Sequence, residues 1–157
     1  MASINGEGNI VRLVSCASGK TLRIRNGNVE GNGGQGDFAK FLVHKKGAHV
    51  LLQACKESHY VAIRDGRLTT GTGGPWCEFI VQGSNHNPAN AICLESVKLP
   101  GQHVGVLPSG DTKAPSNTGR GPHGSFTVEL LQAAAPRAHH SHAPPPADYH
   151  EGCCVVL

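Results

Sequence analysis

The chain of 157 residues is poor in aromatic and charged side chains, which make up 4% and 16% of it. It contains no run that approaches the roughly 18 consecutive apolar residues of a membrane-spanning helix. Its first residues carry neither the charged nor the apolar segment of a secretory signal, and no Asn-x-Ser/Thr glycosylation acceptor occurs. These absences argue against a helical membrane protein and a secreted glycoprotein, and we expect a cytoplasmic protein.

Charge and cysteine spacing argue against further classes. The net charge of +3 is too small and too scattered to indicate a nucleic-acid-binding protein. Without a secretory signal, we expect Cys16, Cys55, Cys77 and Cys93 to be free thiols. No cysteine or histidine spacing matches a zinc motif, and no Gly-x-Ser-x-Gly elbow occurs. The sequence therefore predicts no metal, no cofactor and no enzymatic activity.

Composition divides the chain into a domain and a tail. Residues 10–132 carry short alternating apolar runs separated by glycine turns, the pattern of an all-β sandwich or barrel. From residue 133 the chain is rich in alanine, histidine and proline without an apolar period, which predicts a disordered C-terminal tail over 133–157. Residues 1–9 form a short N-terminal segment. We expect one domain.

The domain contains three similar units of about 40 residues each. A shift of 39 residues aligns the first unit with the second. The aligned pairs are Leu13 with Leu52, Cys16 with Cys55, Leu22 with Val61, Ile24 with Ile63, and Gly27 with Gly66. Each unit closes with a phenylalanine, Phe41, Phe79 or Phe126, whose rings we expect to meet near a pseudo-threefold axis. Three four-strand units that close on one another predict a β-trefoil.

The hairpin sequences carry a family resemblance. Residues 60–70, with the turn Asp65-Gly66, resemble the β-trefoils of fibroblast growth factors and of the actin-bundling fascins. The resemblance covers residues 10–131, and residues 22–31, 109–113 and 117–122 are most similar to the growth-factor pattern. It implies a binding protein, but trefoils serve many functions, so it leaves the partner open.

The resemblance also points to a ligand loop in the third unit. In the growth factors, the loop similar to residues 113–123 binds heparin through basic side chains. Carried over to this chain, it assigns that role to Lys113, Asn117, Arg120 and His123. The loop is less basic than in the growth factors, so heparin or another glycan is a weaker expectation than a protein partner. The Gln-x-Trp repeat of ricin-type lectins is absent.

The last four residues, Cys154-Val155-Val156-Leu157, match a C-a-a-X prenylation box. The terminal leucine favours geranylgeranyl transfer to the Cys154 thiol. Cys153 stands next to it and is a candidate for a second lipid, such as a palmitoyl group, that would make membrane binding less reversible. The box predicts a lipid anchor to a membrane.

The tail also contains a group of histidines. They are His139, His140, His142 and His150. Their protonation adds positive charge as the pH falls below about 6.5 and would strengthen attraction to an anionic membrane. A plain linker or adventitious metal binding is the alternative interpretation.

Two Gly-x-Gly-x-x-Gly patterns begin at Gly31 and Gly119. Such a pattern binds phosphates when it follows a strand and opens a helix. Here both patterns occupy the same loop of the repeated unit, with no helix predicted after them. We interpret them as turns.

Trp76, the single tryptophan, lies in the corresponding loop of the second unit. Exposed tryptophans anchor protein partners, whereas half-buried ones cover a core. Trp76 is therefore either a surface anchor or a cap over the apolar interior.

Together these features predict a non-catalytic binding or adaptor module, tethered to the cytosolic face of a membrane by a prenyl group. Two alternatives stay open. One is a fascin-like actin-binding protein, and the other is a growth-factor-like ligand of heparin, another glycan or a receptor.

Overall fold

The computed structural model describes residues 2–85 and 90–135, which form an all-β fold. The ten strands are β1 (Ile10–Ser15), β2 (Thr21–Arg25), β3 (Asn28–Gly33), β4 (Phe41–Lys46), β5 (His49–Ala54), β6 (Tyr60–Arg64), β7 (Arg67–Gly71), β8 (Phe79–Gly83), β9 (Ile92–Ser96) and β10 (Phe126–Gln132). Short 3₁₀ helices span Ala2–Asn5, Asp37–Ala39, Pro75–Cys77, Pro115–Asn117 and Pro122–Gly124. No helix in the described part of the chain has the length and hydropathy needed to cross a membrane.

Six of the strands pair in a closed antiparallel ring. β1 pairs with β10, β10 with β9, β9 with β8, β8 with β5, β5 with β4, and β4 again with β1. The hairpin β2–β3 extends from β1, and the hairpin β6–β7 extends from β5. Because the ring closes, each of its six strands has a neighbour on both sides.

The strand boundaries repeat along the chain. β1 and β5 begin and end 39 residues apart, and so do β2 and β6. The predicted shift of 39 residues therefore holds for these two pairs of strands, whereas β4 and β8 begin 38 residues apart. Glu95 of β9 forms an isolated bridge with His103, and Val106 forms another with Thr112 in the segment before β10.

The tips of the two hairpins have the backbone that their sequences predict. Asn26 and Gly27 have φ angles of 55° and 75°, and Asp65 and Gly66 have φ angles of 55° and 76°. Two consecutive residues with positive φ match the twist of a tight antiparallel hairpin, and Asn-Gly and Asp-Gly tolerate this conformation best.

The ring encloses one main apolar core. Phe41, Phe79 and Phe126 are fully buried in it, as predicted. The inward positions predicted on β2 and β6, which are Leu22, Ile24, Val61 and Ile63, are also fully buried. Ile4 of the first 3₁₀ helix joins the same core, so residues 2–9 pack against the domain.

Candidate ligand-binding surface

Segments of the three predicted units are joined by hydrogen bonds and by a shared cleft, and we call this region the candidate surface. The Thr70 hydroxyl donates to the carbonyl of Gly27 at 3.2 Å, which joins the second hairpin to the first. The Gly31 N–H donates to the carbonyl of Gly110 at 2.9 Å, which joins the first hairpin to the third unit. The turn of the second hairpin and residues 112–115 line a common cleft. This surface therefore combines segments that lie far apart in the sequence.

The cleft between the second and third units has a volume of about 250 Å³ and carries two basic side chains, Arg67 and Lys113. The Lys113 ammonium donates to Nδ1 of His123 at 2.9 Å. Its backbone N–H donates to the carbonyl of Gly105 at 3.0 Å, which fixes the loop. Among the described residues, neither Arg67 nor Lys113 pairs with a carboxylate. The cleft thus offers two cations to an anionic group.

The structure separates the four predicted loop residues. Lys113 and His123 lie together, whereas Nε of Arg120 donates to the carbonyl of Gly83 at 3.0 Å and is directed to the end of β8. Asn117 is exposed in its 3₁₀ helix. Sequence reasoning missed Arg67, because its proximity to Lys113 depends on how the second unit packs against the third. The only sequence signal for it is its place directly after the second hairpin turn.

Trp76 is half-buried and covers a second, smaller apolar cluster. Together with Tyr60 it packs against the cluster of Leu51, Ala62 and Cys77. The Lys98 ammonium lies 5.4 Å from the centroid of the indole ring, within the range of a cation–π contact. The indole therefore contacts both an apolar cluster and a surface cation.

The cysteines of the domain divide into two kinds. Cys16, Cys77 and Cys93 are free, as predicted. Cys55 is disulfide-bonded, so the prediction of a free thiol is wrong there. That prediction was based on the expected cellular compartment and on the spacing of zinc motifs. Neither of these indicates which thiols lie close together in the folded protein. Burial raises the pKa of the Cys77 and Cys93 thiols, so both are poor nucleophiles.

Two carboxyl groups have a lowered pKa, and each is explained by a structural contact. The Glu78 carboxylate accepts a hydrogen bond from the Lys46 ammonium at 2.9 Å and one from His49 at 3.2 Å, and these lower its pKa. The pKa of Glu57 is lowered because its carboxylate accepts the backbone N–H groups of Gly27 and Asn26. Both carboxylates hold neighbouring segments together, and neither lines the basic cleft.

Several predicted sites lie outside the described residues. They are Cys153, Cys154, His139, His140, His142 and His150. Within the described ranges, no group of three or more metal-ligating side chains is found. No family model matches the chain, and no curated protein matches it either.

Proposed function

We propose that the domain is a β-trefoil made of three four-strand units. The closed ring of six strands supports this, because a trefoil barrel takes two strands from each unit. The 39-residue offset between β1 and β5 supports the repetition. In this proposal, the bridges Glu95–His103 and Val106–Thr112 are an irregular form of the third hairpin.

We further propose that the protein is a non-catalytic binding module and that its recognition surface includes the cleft of Arg67 and Lys113. The observation that carries this proposal is the pair of basic side chains without carboxylate partners in a cleft formed by two units. Arginine and lysine in such a setting bind carboxylates or phosphates. The partner fitted by this chemistry is an acidic protein surface.

In this proposal, a prenyl group holds the module at the cytosolic face of a membrane. The Cys154 thiolate attacks the first carbon of an isoprenoid diphosphate, a thioether forms, and diphosphate leaves. One isoprenoid binds a membrane reversibly, and a second lipid on Cys153 would strengthen the anchor. Both lipids require free tail thiols, so a disulfide from Cys55 to Cys153 or Cys154 would exclude the doubly lipidated form. Prenylation of Cys154 requires that the natural protein ends at Leu157. The sequence of its C-terminal peptide determines whether it does.

The tether is tested on protein isolated from eukaryotic cells, by intact mass and by sequencing of the C-terminal peptide. We expect the wild type to have lost Val155, Val156 and Leu157, to carry an isoprenoid, and to sediment with membranes. Cys154→Ser should keep all three residues and stay in the supernatant. Cys153→Ser is the matched control and should keep the isoprenoid. A wild-type protein with an unmodified Leu157 would contradict the tether and leave the binding proposal standing.

The same cleft favours one alternative, a growth-factor-like ligand of a sulfated glycan. If it is correct, the domain should be retained on heparin and elute at a salt concentration that falls in Arg67→Glu and Lys113→Glu. Arg120→Glu changes the charge equally but lies at the end of β8, so its elution should shift least. Equal shifts in all three variants would indicate diffuse charge attraction and would count against the cleft.

A further inference from the structure

A second cleft, of about 280 Å³, opens beside the first hairpin and contains a buried arginine. Arg12 of β1 lines it and is only 9% exposed. The cleft is also lined by Lys20, Thr21 and Gly34, and by Glu129 of β10. It is separate from the Arg67–Lys113 cleft and shares no residue with it.

The Arg12 guanidinium is incompletely paired. Nη1 donates to Oε1 of Glu129 at 3.2 Å, and Nη2 donates to the carbonyl of Gln35 at 3.1 Å. Nε is buried and has no hydrogen-bond partner among the residues that the structure describes. A guanidinium has five N–H donors, so Arg12, which lines the cleft, has three that make no hydrogen bond to the described residues. Because a buried charge without full compensation is costly, a polar ligand would relieve this deficit.

The other units provide an internal comparison for Arg12. The 39-residue shift places it at Leu51 of β5, and β9 has the same burial pattern with Cys93 at that position. Leu51 and Cys93 are both buried and neither is charged. The fold therefore accommodates an uncharged side chain at this position, and the arginine of the first unit is not needed to build the strand.

The comparison also explains why the cleft is open. Thr21 corresponds by the same shift to Tyr60, which in the second unit packs together with Trp76 against the cluster that contains Leu51. The smaller threonine leaves this space unfilled, and its hydroxyl donates to the carbonyl of Gly34 at 2.7 Å. The space around Gly34 itself is open, because a methyl group on its Cα would meet nothing within 4 Å. The first unit thus has a polar cleft where the second has an aromatic cover.

We propose that this cleft binds a tetrahedral oxyanion, either inorganic phosphate or a phosphate monoester. The unused N–H donors of Arg12 suit phosphate oxygens, and the Lys20 ammonium adds a second positive charge. Glu129, whose side chain is 51% exposed, is the one carboxylate in the lining and can turn to solvent when an anion enters. The inference does not depend on the lipid tether or on the proposed partner.

The test is a titration of the ¹⁵N-labelled protein with inorganic phosphate at constant ionic strength, followed by NMR. We expect saturable shifts of the Arg12 Nε–H signal and of the Gly34 amide. Arg12→Leu, which copies the second unit, should fold and lose these shifts. Lys20→Gln should weaken binding about fivefold. Lys56→Gln removes an exposed lysine outside the cleft and should bind as the wild type does.

Several results would overturn the proposal. One is the absence of saturable shifts with both phosphate and sulfate, and another is an equal loss of affinity in Lys20→Gln and Lys56→Gln. If Arg12→Leu does not fold, the phosphate titration of Lys20→Gln decides between binding and no binding at the cleft. The Lys20 side chain is exposed, so its loss leaves the core intact. A parallel titration with glucose 6-phosphate separates the two sources: tighter binding than phosphate supports a monoester, and equal or weaker binding supports the free ion.

Discussion

Replacing Phe79 by alanine is expected to lower the free energy of unfolding by about 3–5 kcal/mol. The ring is fully buried in the main core. Phe79 is also paired with Val50 of β5 and with Ser96 of β9, so it lies where three strands of the ring meet. Removing the ring leaves a cavity at this junction, because the paired backbones limit its collapse. For a domain with a total stability of about 5–15 kcal/mol, this is a large share.

The loss is measured by urea unfolding followed through the fluorescence of Trp76, the single tryptophan. Phe38→Ala is the matched control, because the same ring is removed from a half-buried position in the 3₁₀ helix Asp37–Ala39. It should cost less than half as much. Equal losses in the two variants would contradict the assignment of the three unit-closing phenylalanines to one shared core.

The core was predictable from the sequence because its signal is local and repeated. Leu22 and Ile24 recur at the two-residue period of a strand, and large aliphatic residues recur at the same period at Val61 and Ile63. Repetition makes a chance pattern less probable. The hairpin turns were predictable for a related reason, since Asn-Gly and Asp-Gly have intrinsic backbone preferences that tertiary packing did not need to override.

The clefts were not predictable, because they depend on contacts between distant segments. Alternation along β1 places Arg12 on the opposite side of the strand from Val11 and Leu13. Arg12 is buried on that side because it bonds to the loop that carries Gln35 and to Glu129 of β10. Arg67 and Lys113 likewise meet only after two units have packed together. Sequence spacing carries no information about such contacts.

Both Gly-x-Gly-x-x-Gly patterns lie beside short 3₁₀ helices in the structure. Each pattern ends at a 3₁₀ helix of three residues, Asp37–Ala39 or Pro122–Gly124. Such a helix is too short to present the N-terminal dipole on which phosphate binding by this motif depends. The prediction that these glycines are turn residues is wrong for Gly31 and Gly33, which lie in strand β3, and no glycine of either pattern has a positive φ angle. The pattern glycines differ in their surroundings, because some have open space around them and others are in close contact with neighbouring residues.

Gly124 is the glycine of the second pattern for which this difference matters most. A methyl group at Gly124 would overlap the carbonyl oxygen of Gly119 and approach the methyl carbon of Thr118 to 3.2 Å. The corresponding residues of the other two units, Ala39 and Cys77, end the same kind of 3₁₀ helix and carry side chains. In the third unit the backbone of Gly119 lies where a side chain at residue 124 would be. Backbone atoms cannot rotate away as the end of a side chain can. Gly124→Ala should therefore destabilise the domain by about 1–3 kcal/mol.

Gly119→Ala and Gly121→Ala provide matched controls within the same loop. A methyl group at either position meets nothing within 4 Å, so each substitution should change stability by less than about 0.5 kcal/mol. Thermal unfolding of the three variants separates the two cases, because a loss of about 1–3 kcal/mol lowers the melting temperature by several degrees. If Gly124→Ala had the same melting temperature as its two controls, the loop would have moved aside to accept the methyl group. Close packing would then not be the reason for glycine at this position. A selective loss of stability in Gly124→Ala would show instead that the folded-back loop of the third unit occupies the space next to residue 124. In the first two units, Ala39 and Cys77 carry side chains at the corresponding position.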